Sequence, residues 1–195
     1  MAMKRIAIIG GGNVGNALAS GLKRAGREVK VAGRDTTAAR AAAAWAEATI
    51  LAVPFGAIDD ALRALGNAVD GKALVDVTNA LDAKMNLALG FTTSGAEELQ
   101  RKAPKAYVVK AFNTGFAQHM STGRLGDQSL TTFVAGDDAN AKASVLDLAR
   151  AIGFDAVDAG PLRNARMIEP LAYLNIQLGY VLKMGPQIGF KLLHG

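Results

Sequence analysis

Gly10, Gly12 and Gly15 stand in G-x-G-x-x-G spacing within the run Gly10-Gly11-Gly12-Asn13-Val14-Gly15. The run follows a short β-branched stretch, Arg5 to Ile9, and opens a segment of helical spacing, Asn16 to Ala25. In that setting each glycine has its own task. Gly10 permits a tight turn, Gly12 lets the backbone approach a pyrophosphate, and Gly15 lets helix and strand pack closely. Free amides at the helix start then meet the phosphate charge. The chemistry implied is the binding of a dinucleotide.

The end of the next strand, Glu28 to Ala32, bears on which dinucleotide. It continues into Gly33 and Arg34. A small residue followed by arginine leaves room for a 2′-phosphate and supplies a guanidinium to bind it, which favours NADP over NAD. Asp35 offers the competing chemistry, a carboxylate that a shift of register would aim at the ribose hydroxyls.

Ligands of an open α/β sheet bind beyond the carboxyl ends of its strands. Pro54 and Phe55 follow Val53, Thr78 and Asn79 follow Val77, and Asn113 and Thr114 follow Phe112. These loops should line one edge together with Gly12. They bring amides and hydroxyls and no acid–base pair, a lining suited to orienting a carboxamide and a heterocycle. Asn79, Asn113 and Thr114 are the positioning candidates, and no residue stands out as a proton donor.

The elements that must hold these residues alternate between strand and helix. Strands are expected at Arg5–Ile9, Glu28–Ala32, Thr49–Val53, Ala73–Val77, Tyr107–Phe112, Thr131–Ala135 and Ala156–Ala159. Helices are expected at Asn16–Ala25, Thr36–Ala48, Ala57–Leu65, Gly95–Lys102 and Ala139–Ile152. The alternation predicts an α/β, Rossmann-type doubly wound, mostly parallel sheet in one domain over residues 1–195. Between Ala32 and Thr49 there is room for one helix only, so the usual third strand is missing or vestigial. Beyond Gly160 a helical extension is expected. Pro170 fits the first turn of a helix to about Lys183. Leu171, Leu174, Ile176, Leu178, Val181 and Leu182 make that helix apolar nearly all round. It is either packed on its own sheet or buried in a homodimer contact through 170–183.

Composition narrows the rest. Half of the 195 residues are hydrophobic, enough for a sizeable core. The formal charge is +5, but the basic residues are scattered, which argues against a nucleic-acid surface. Cysteine is absent, and only His119 and His194 offer imidazole, with no carboxylate cluster at either. A bound transition metal is therefore not expected. No apolar run is long enough to span a membrane, so a soluble, cytoplasmic protein is expected.

Several segments together resemble a known family. They are Gly10 to Gly15, Gly33-Arg34, Ala52 to Phe55, Asp76 to Asn79, Ser94 to Leu99, Val109 to Thr114, Val134 to Asp138 and Asp158 to Leu162. The chain resembles the NADPH-dependent reductases of the deazaflavin coenzyme F420 and the similar reductase domain of the STEAP metalloreductases, in a shortened subgroup. The resemblance implies hydride transfer between NADP(H) and a small-molecule acceptor, F420, FMN or FAD. Under it Gly12, Asn13 and Val14 hold the pyrophosphate, and Gly33 and Arg34 the 2′-phosphate. Val53, Pro54 and Phe55 flank the ribose and nicotinamide. Asn79, Asn113 and the backbone around Phe116 and Ala117 border the nicotinamide and the acceptor. The chain departs from the family in having Asp35 to Ala38 where a second basic residue is usual, and Ala80 in place of a proline.

Two other functions remain open: reduction of a small imine or keto substrate, and non-catalytic sensing of NADPH. His119 is expected to pack rather than catalyse, and Lys110, inside a strand, to snorkel or pair. Arg163, Arg166 and Glu169 are spaced for local pairing. Trp45, Tyr173 and Tyr180 read as packing residues.

Overall fold

The computed structural model describes residues 3–82 and 84–193. Its centre is strand β1 (Arg5–Ile9), whose Ile6, Ala7, Ile8 and Ile9 are all buried. Such an unbroken run is what a strand covered on both faces requires. Successive residues feed opposite cores. Ile6 and Ile8 meet Leu18 and Leu22 of helix α1 (Asn13–Arg24), while Ala7 and Ile9 meet the alanines Ala39, Ala42 and Ala43 of helix α2 (Thr36–Trp45). Burying each such leucine contributes about 1.5–3 kcal/mol.

Strand β2 (Glu28–Ala32) pairs in parallel with one side of β1, and β3 (Ala48–Leu51) with the other. Helix α3 (Ile58–Leu65) leads to β4 (Ala73–Asp76), and α4 (Gly95–Lys102) to β5 (Tyr107–Lys110), both added in parallel. A small hairpin, β6 (Arg124–Leu125) and β7 (Gln128–Ser129), precedes β8 (Thr131–Gly136), which joins β5 antiparallel. Helix α5 (Ala139–Ile152) returns the chain to β9 (Asp155–Asp158), parallel to β8. The sheet order is β2-β1-β3-β4-β5-β8-β9. Among the described residues no helix is long and apolar enough to cross a membrane.

The sheet is doubly wound and mostly parallel, as the sequence predicts, and β2 is its edge. The third strand is absent from this edge because the ten residues of α2 use nearly all the chain between β2 and β3. The chain therefore passes from β2 through α2 directly to the far side of β1. That reversal at β1 places the glycine turn at the switch point of the sheet.

Some boundaries differ from expectation. Helix α1 starts at Asn13, inside the glycine run, three residues earlier than its apolar spacing suggests. Helix α2 ends at Trp45 because Ala46 is extended and Glu47 turns back to accept the amides of Lys4 and Arg5.

The C-terminal helix requires a larger correction. Helix α6 runs Ala165–Ile176 with Pro170 in its interior, followed by a π-helical turn, Gln177–Val181. Starting a turn earlier buries Ala165, Ile168, Glu169 and Ala172, which outweighs the hydrogen bond that proline cannot make. Nor does the chain bury this segment on several sides. Leu174, Tyr180, Val181 and Leu182 remain 49–65% exposed. Tyr180 lies edge-on to Phe116 at 5.2 Å, and Tyr173 is half-buried. Trp45 packs on the α2 core beneath Lys30, whose ammonium is 4.4 Å from the ring.

Arg166 and Glu169 do not pair locally as their spacing suggests. Arg166 grips the Glu97 carboxylate through Nε at 2.9 Å and Nη2 at 2.7 Å, tying α6 to the first turn of α4. That hydrogen-bonded guanidinium holds the Glu97 carboxyl below its ordinary value. A depressed native pKa adds stability above the unfolded value and withdraws it as pH falls through the folded one. Glu97→Gln should therefore lower the urea midpoint at neutral pH, and its gap from wild type should narrow as the pH falls below the ordinary carboxylate range. A gap that stays constant with pH would exclude the linkage.

Candidate dinucleotide site

The glycine turn is built by packing on two glycines and left open on the third. The Gly10 amide donates to the Ala32 carbonyl at 2.8 Å, anchoring the turn to β2. Gly10 has φ 118°, and a Cβ there would collide with the Ala52 carbonyl oxygen. A Cβ on Gly15 would strike the Gly10 carbonyl oxygen, so α1 and the turn pack backbone to backbone. Gly12 is different. A Cβ there would meet nothing within 4 Å and would project into open space.

Helix α1 begins at this opening without a cap. Gly12 is its N-cap, has no side chain to offer, and no acidic residue occupies the first turn. Helices α2, α4 and α5 are capped by the side chains of Asp35, Ser94 and Asp138. The Asn16 amide reaches back to the Gly12 carbonyl at 3.0 Å, leaving the preceding helical amides to an external acceptor. The partial positive charge of a helix N-terminus is thus directed at the place where Gly12 leaves room.

The opening is one wall of a cleft of about 700 Å³, within the usual range for ligand sites. Gly12, Asn13 and Val14 form that wall, and Val53, Pro54 and Phe55 face it. Thr78 and Asn79 border the cleft farther along, and Leu81, Asp82, Met85 and Ile176 line it too. An adjoining recess of about 330 Å³ is lined by Gly33 and Arg34 and shares Val53. Arg34 makes no hydrogen bond or ion pair with the described residues, so its guanidinium is available. The Asp35 carboxylate is engaged elsewhere: Oδ1 accepts the Thr37 and Ala38 amides at 2.9 and 3.1 Å as the cap of α2. The two groups the sequence left in competition are therefore separated, with arginine open to the recess and the acid used by its own helix.

The residues expected beyond Asn79 divide. Asn113 Nδ2 donates to Asn79 Oδ1 at 3.1 Å, so it acts on the cleft through its neighbour. It sits after Phe112, whose φ of 65° is a strained conformation for a bulky residue and turns the chain sharply out of β5. Thr114 and Ala117 do not line the cleft. The Thr114 carbonyl accepts Asn175 Nδ2 at 3.0 Å, and Ala117 opens a short 3₁₀ turn. His119 is buried with Nε2 3.0 Å from the Pro186 carbonyl, a packing role that ties down the C-terminal segment. His194 lies outside the described residues.

Sequence reasoning missed a buried cluster behind this floor. Lys110 Nζ lies 2.9 Å from Asp76 Oδ2 and 3.0 Å from Glu169 Oε1, with all three side chains fully buried. Burial pushes the lysine pKa down, but the two carboxylates push harder, and the net direction is up. Lys110 stays an ammonium. It pairs rather than snorkels. A charged residue ending a strand was the only signal of the cluster in the sequence.

An open glycine turn, an uncapped helix and an adjoining recess that holds Arg34, at the switch point of a parallel sheet, define a Rossmann-type dinucleotide-binding protein. The family model described as "NADP oxidoreductase coenzyme F420-dependent" matches residues 5–80. The F420-dependent NADP reductase of Methanothermobacter marburgensis is 31% identical, with 89% of this chain and 92% of that protein covered. The chain belongs to the coenzyme F420-dependent NADP oxidoreductase family. A crystal structure from Arthrobacter sp. FB24, assigned as an F420-dependent NADP reductase, superposes with a TM-score of 0.89 at 32% identity, covering 98% of this chain and all of that one. The metalloreductase STEAP3 of Rattus norvegicus is 31% identical over 86% of this chain, but the chain spans only 36% of that protein. A reductive aminase from Aspergillus terreus shares the fold at a TM-score of 0.67 and 18% identity, covering 93% of this chain and 63% of its own.

Proposed function

We propose that the protein passes hydride between NADP(H) and a planar deazaflavin or flavin-like acceptor. The observation that supports this best is the uncapped α1 N-terminus behind Gly12, with Arg34, unpartnered among the described residues, in the adjoining recess. The amides of Asn13 and Val14 would bind the pyrophosphate, and Arg34 the 2′-phosphate. Val53, Pro54 and Phe55 would flank the ribose, and Asn79, held by Asn113, would orient the carboxamide. NADPH held there would supply a hydride, two electrons with one proton, to the acceptor ring.

The chain's own part is positioning. Among the described residues Asp82 is the one ionisable side chain lining the cleft, and its Oδ1 accepts the Lys84 and Asn86 amides at 2.8 and 2.9 Å. These amides hold its carboxyl below the ordinary value, so it is a poor proton donor. An acceptor ring that stabilises its own reduced form and takes its proton from water needs no other donor. Holding the two rings together then accounts for the rate, since orientation alone can supply about 7–11 kcal/mol of a barrier.

The test is consumption of reduced nicotinamide by the purified protein, with NADPH and NADH in parallel against F420, FMN and FAD. Acceptor-dependent loss of NADPH, faster than that of NADH, is expected. Tight NADPH binding without turnover of any ring acceptor would turn the assignment toward a sensor. Turnover of imines or keto acids alone would turn it toward a small-substrate reductase.

A further inference from the structure

An ammonium enclosed by protein must have every proton accepted, and where those acceptors lie shows what the charge holds in place. Lys110 ends β5 directly beside Asp76, which ends β4. Its three donors have three acceptors: Asp76 Oδ2 at 2.9 Å, Glu169 Oε1 at 3.0 Å and the Thr78 carbonyl at 2.6 Å. Asp76 Oδ1 meanwhile accepts the Thr78 amide at 2.8 Å. Both backbone groups of Thr78 are therefore gripped from behind by one ion pair. Thr78 lies past the end of β4, where the sheet offers its carbonyl no ladder partner.

Glu169 secures the other side of the lysine. Its carboxylate accepts the Gly95 and Ala96 amides at the start of α4, at 2.8 and 3.1 Å. Exchanging a buried ion pair for packed apolar residues is often neutral or stabilising, so stability alone does not explain this cluster. An apolar pair could fill the space, but it could not hold a carbonyl. The residue so held, with its neighbour Asn79, borders the far part of the cleft, and the Thr78 hydroxyl is buried without a partner among the described residues.

We propose that Lys110, braced by Glu169, is a positioning residue for the nicotinamide half of the cofactor. It sets the Thr78–Asn79 edge on which the carboxamide rests. The inference rests on the NADP reading of the cleft, and it assigns the two halves of the site to different supports. The glycine turn and Arg34 hold the phosphates. The buried cluster holds the edge for the nicotinamide.

That division can be read by titrating two ligands calorimetrically. 2′,5′-ADP carries the phosphate end without a nicotinamide, and NADPH carries both. Lys110→Met keeps the stem and removes the ammonium. It should leave the Kd for 2′,5′-ADP within about twofold of wild type and raise that for NADPH about tenfold, as the Thr78–Asn79 edge loses its hold. The KM for NADPH should rise with it. Glu169→Gln keeps the volume and should shift NADPH alone by about threefold. If Lys110→Met yields no folded protein, Glu169→Gln decides on the same two ligands. Losses of both ligands in parallel, as general loosening would produce, or no loss of either, would overturn the proposal. Wild-type protein that binds neither ligand would instead overturn the cofactor assignment, an outcome no variant comparison can imitate.

Discussion

Gly12→Asp should abolish NADPH binding in the micromolar range while leaving the fold intact. The backbone at Gly12, φ −77° and ψ −172°, is one that any L-residue adopts, and its Cβ would meet no atom within 4 Å. The melting temperature should therefore stay within about 2 °C of wild type. The new carboxylate would stand where the pyrophosphate must approach α1. Two like charges about 4 Å apart in partly shielded surroundings repel by about 4 kcal/mol, so a loss of at least a hundredfold in affinity is expected. Gly12→Ala separates bulk from charge. A methyl group that displaces one phosphate hydrogen bond should cost about 1.5–3 kcal/mol, about ten- to a hundredfold. Calorimetric titration with NADPH, alongside thermal melts, measures both. Retained affinity in Gly12→Asp would remove the pyrophosphate from α1. A collapsed melting temperature would show that Gly12, like Gly10 and Gly15, is needed for packing.

What was legible in the sequence was whatever is local. The glycine turn announces itself because its three tasks fall within six residues. The missing edge strand follows from arithmetic, since one helix uses the chain between Ala32 and Thr49. The buried strands show as apolar runs because both of their faces are covered. The features that escaped are those assembled across the sheet. Asp76, Lys110 and Glu169 meet only because β4 and β5 are neighbours and α6 packs over α4, and neither follows from any one segment. Pro170 misled for a related reason. A local rule places proline in the first turn of a helix, whereas the burial of Ala165 and Ile168 sets where this helix starts. The apolar character of the last helix was plain in the sequence, but hydrophobicity does not say whether this chain supplies the cover. Within this segment Ala172 and Asn175 are buried while Leu174 and Leu182 stay exposed. Thr114, expected at the cleft because it follows a strand end, instead gives its carbonyl to Asn175 of α6.

The choice of cofactor was readable as a contest between Arg34 and Asp35, and its resolution carries the second large effect. Arg34→Ala should raise the KM for NADPH about ten- to a hundredfold, the loss of a charge-assisted contact with the 2′-phosphate. It should leave the KM for NADH within about twofold, since NADH presents no such group. Stability should not change, because Arg34 has no partner among the described residues to lose. The preference for NADPH should thus decline through loss alone. An NADH-preferring enzyme requires an acid on the ribose hydroxyls, and the Asp35 carboxylate is held by the Thr37 and Ala38 amides as the cap of α2. Salt offers an independent check. Arg34 is exposed, so its attraction for the phosphate is screened, and the gap between wild type and variant should narrow as ionic strength rises. Steady-state kinetics with both nucleotides at two salt concentrations measures all of this. An Arg34→Ala variant that gained on NADH would show that Asp35 can leave its helix. Unchanged kinetics with NADPH would place the 2′-phosphate away from Gly33 and Arg34.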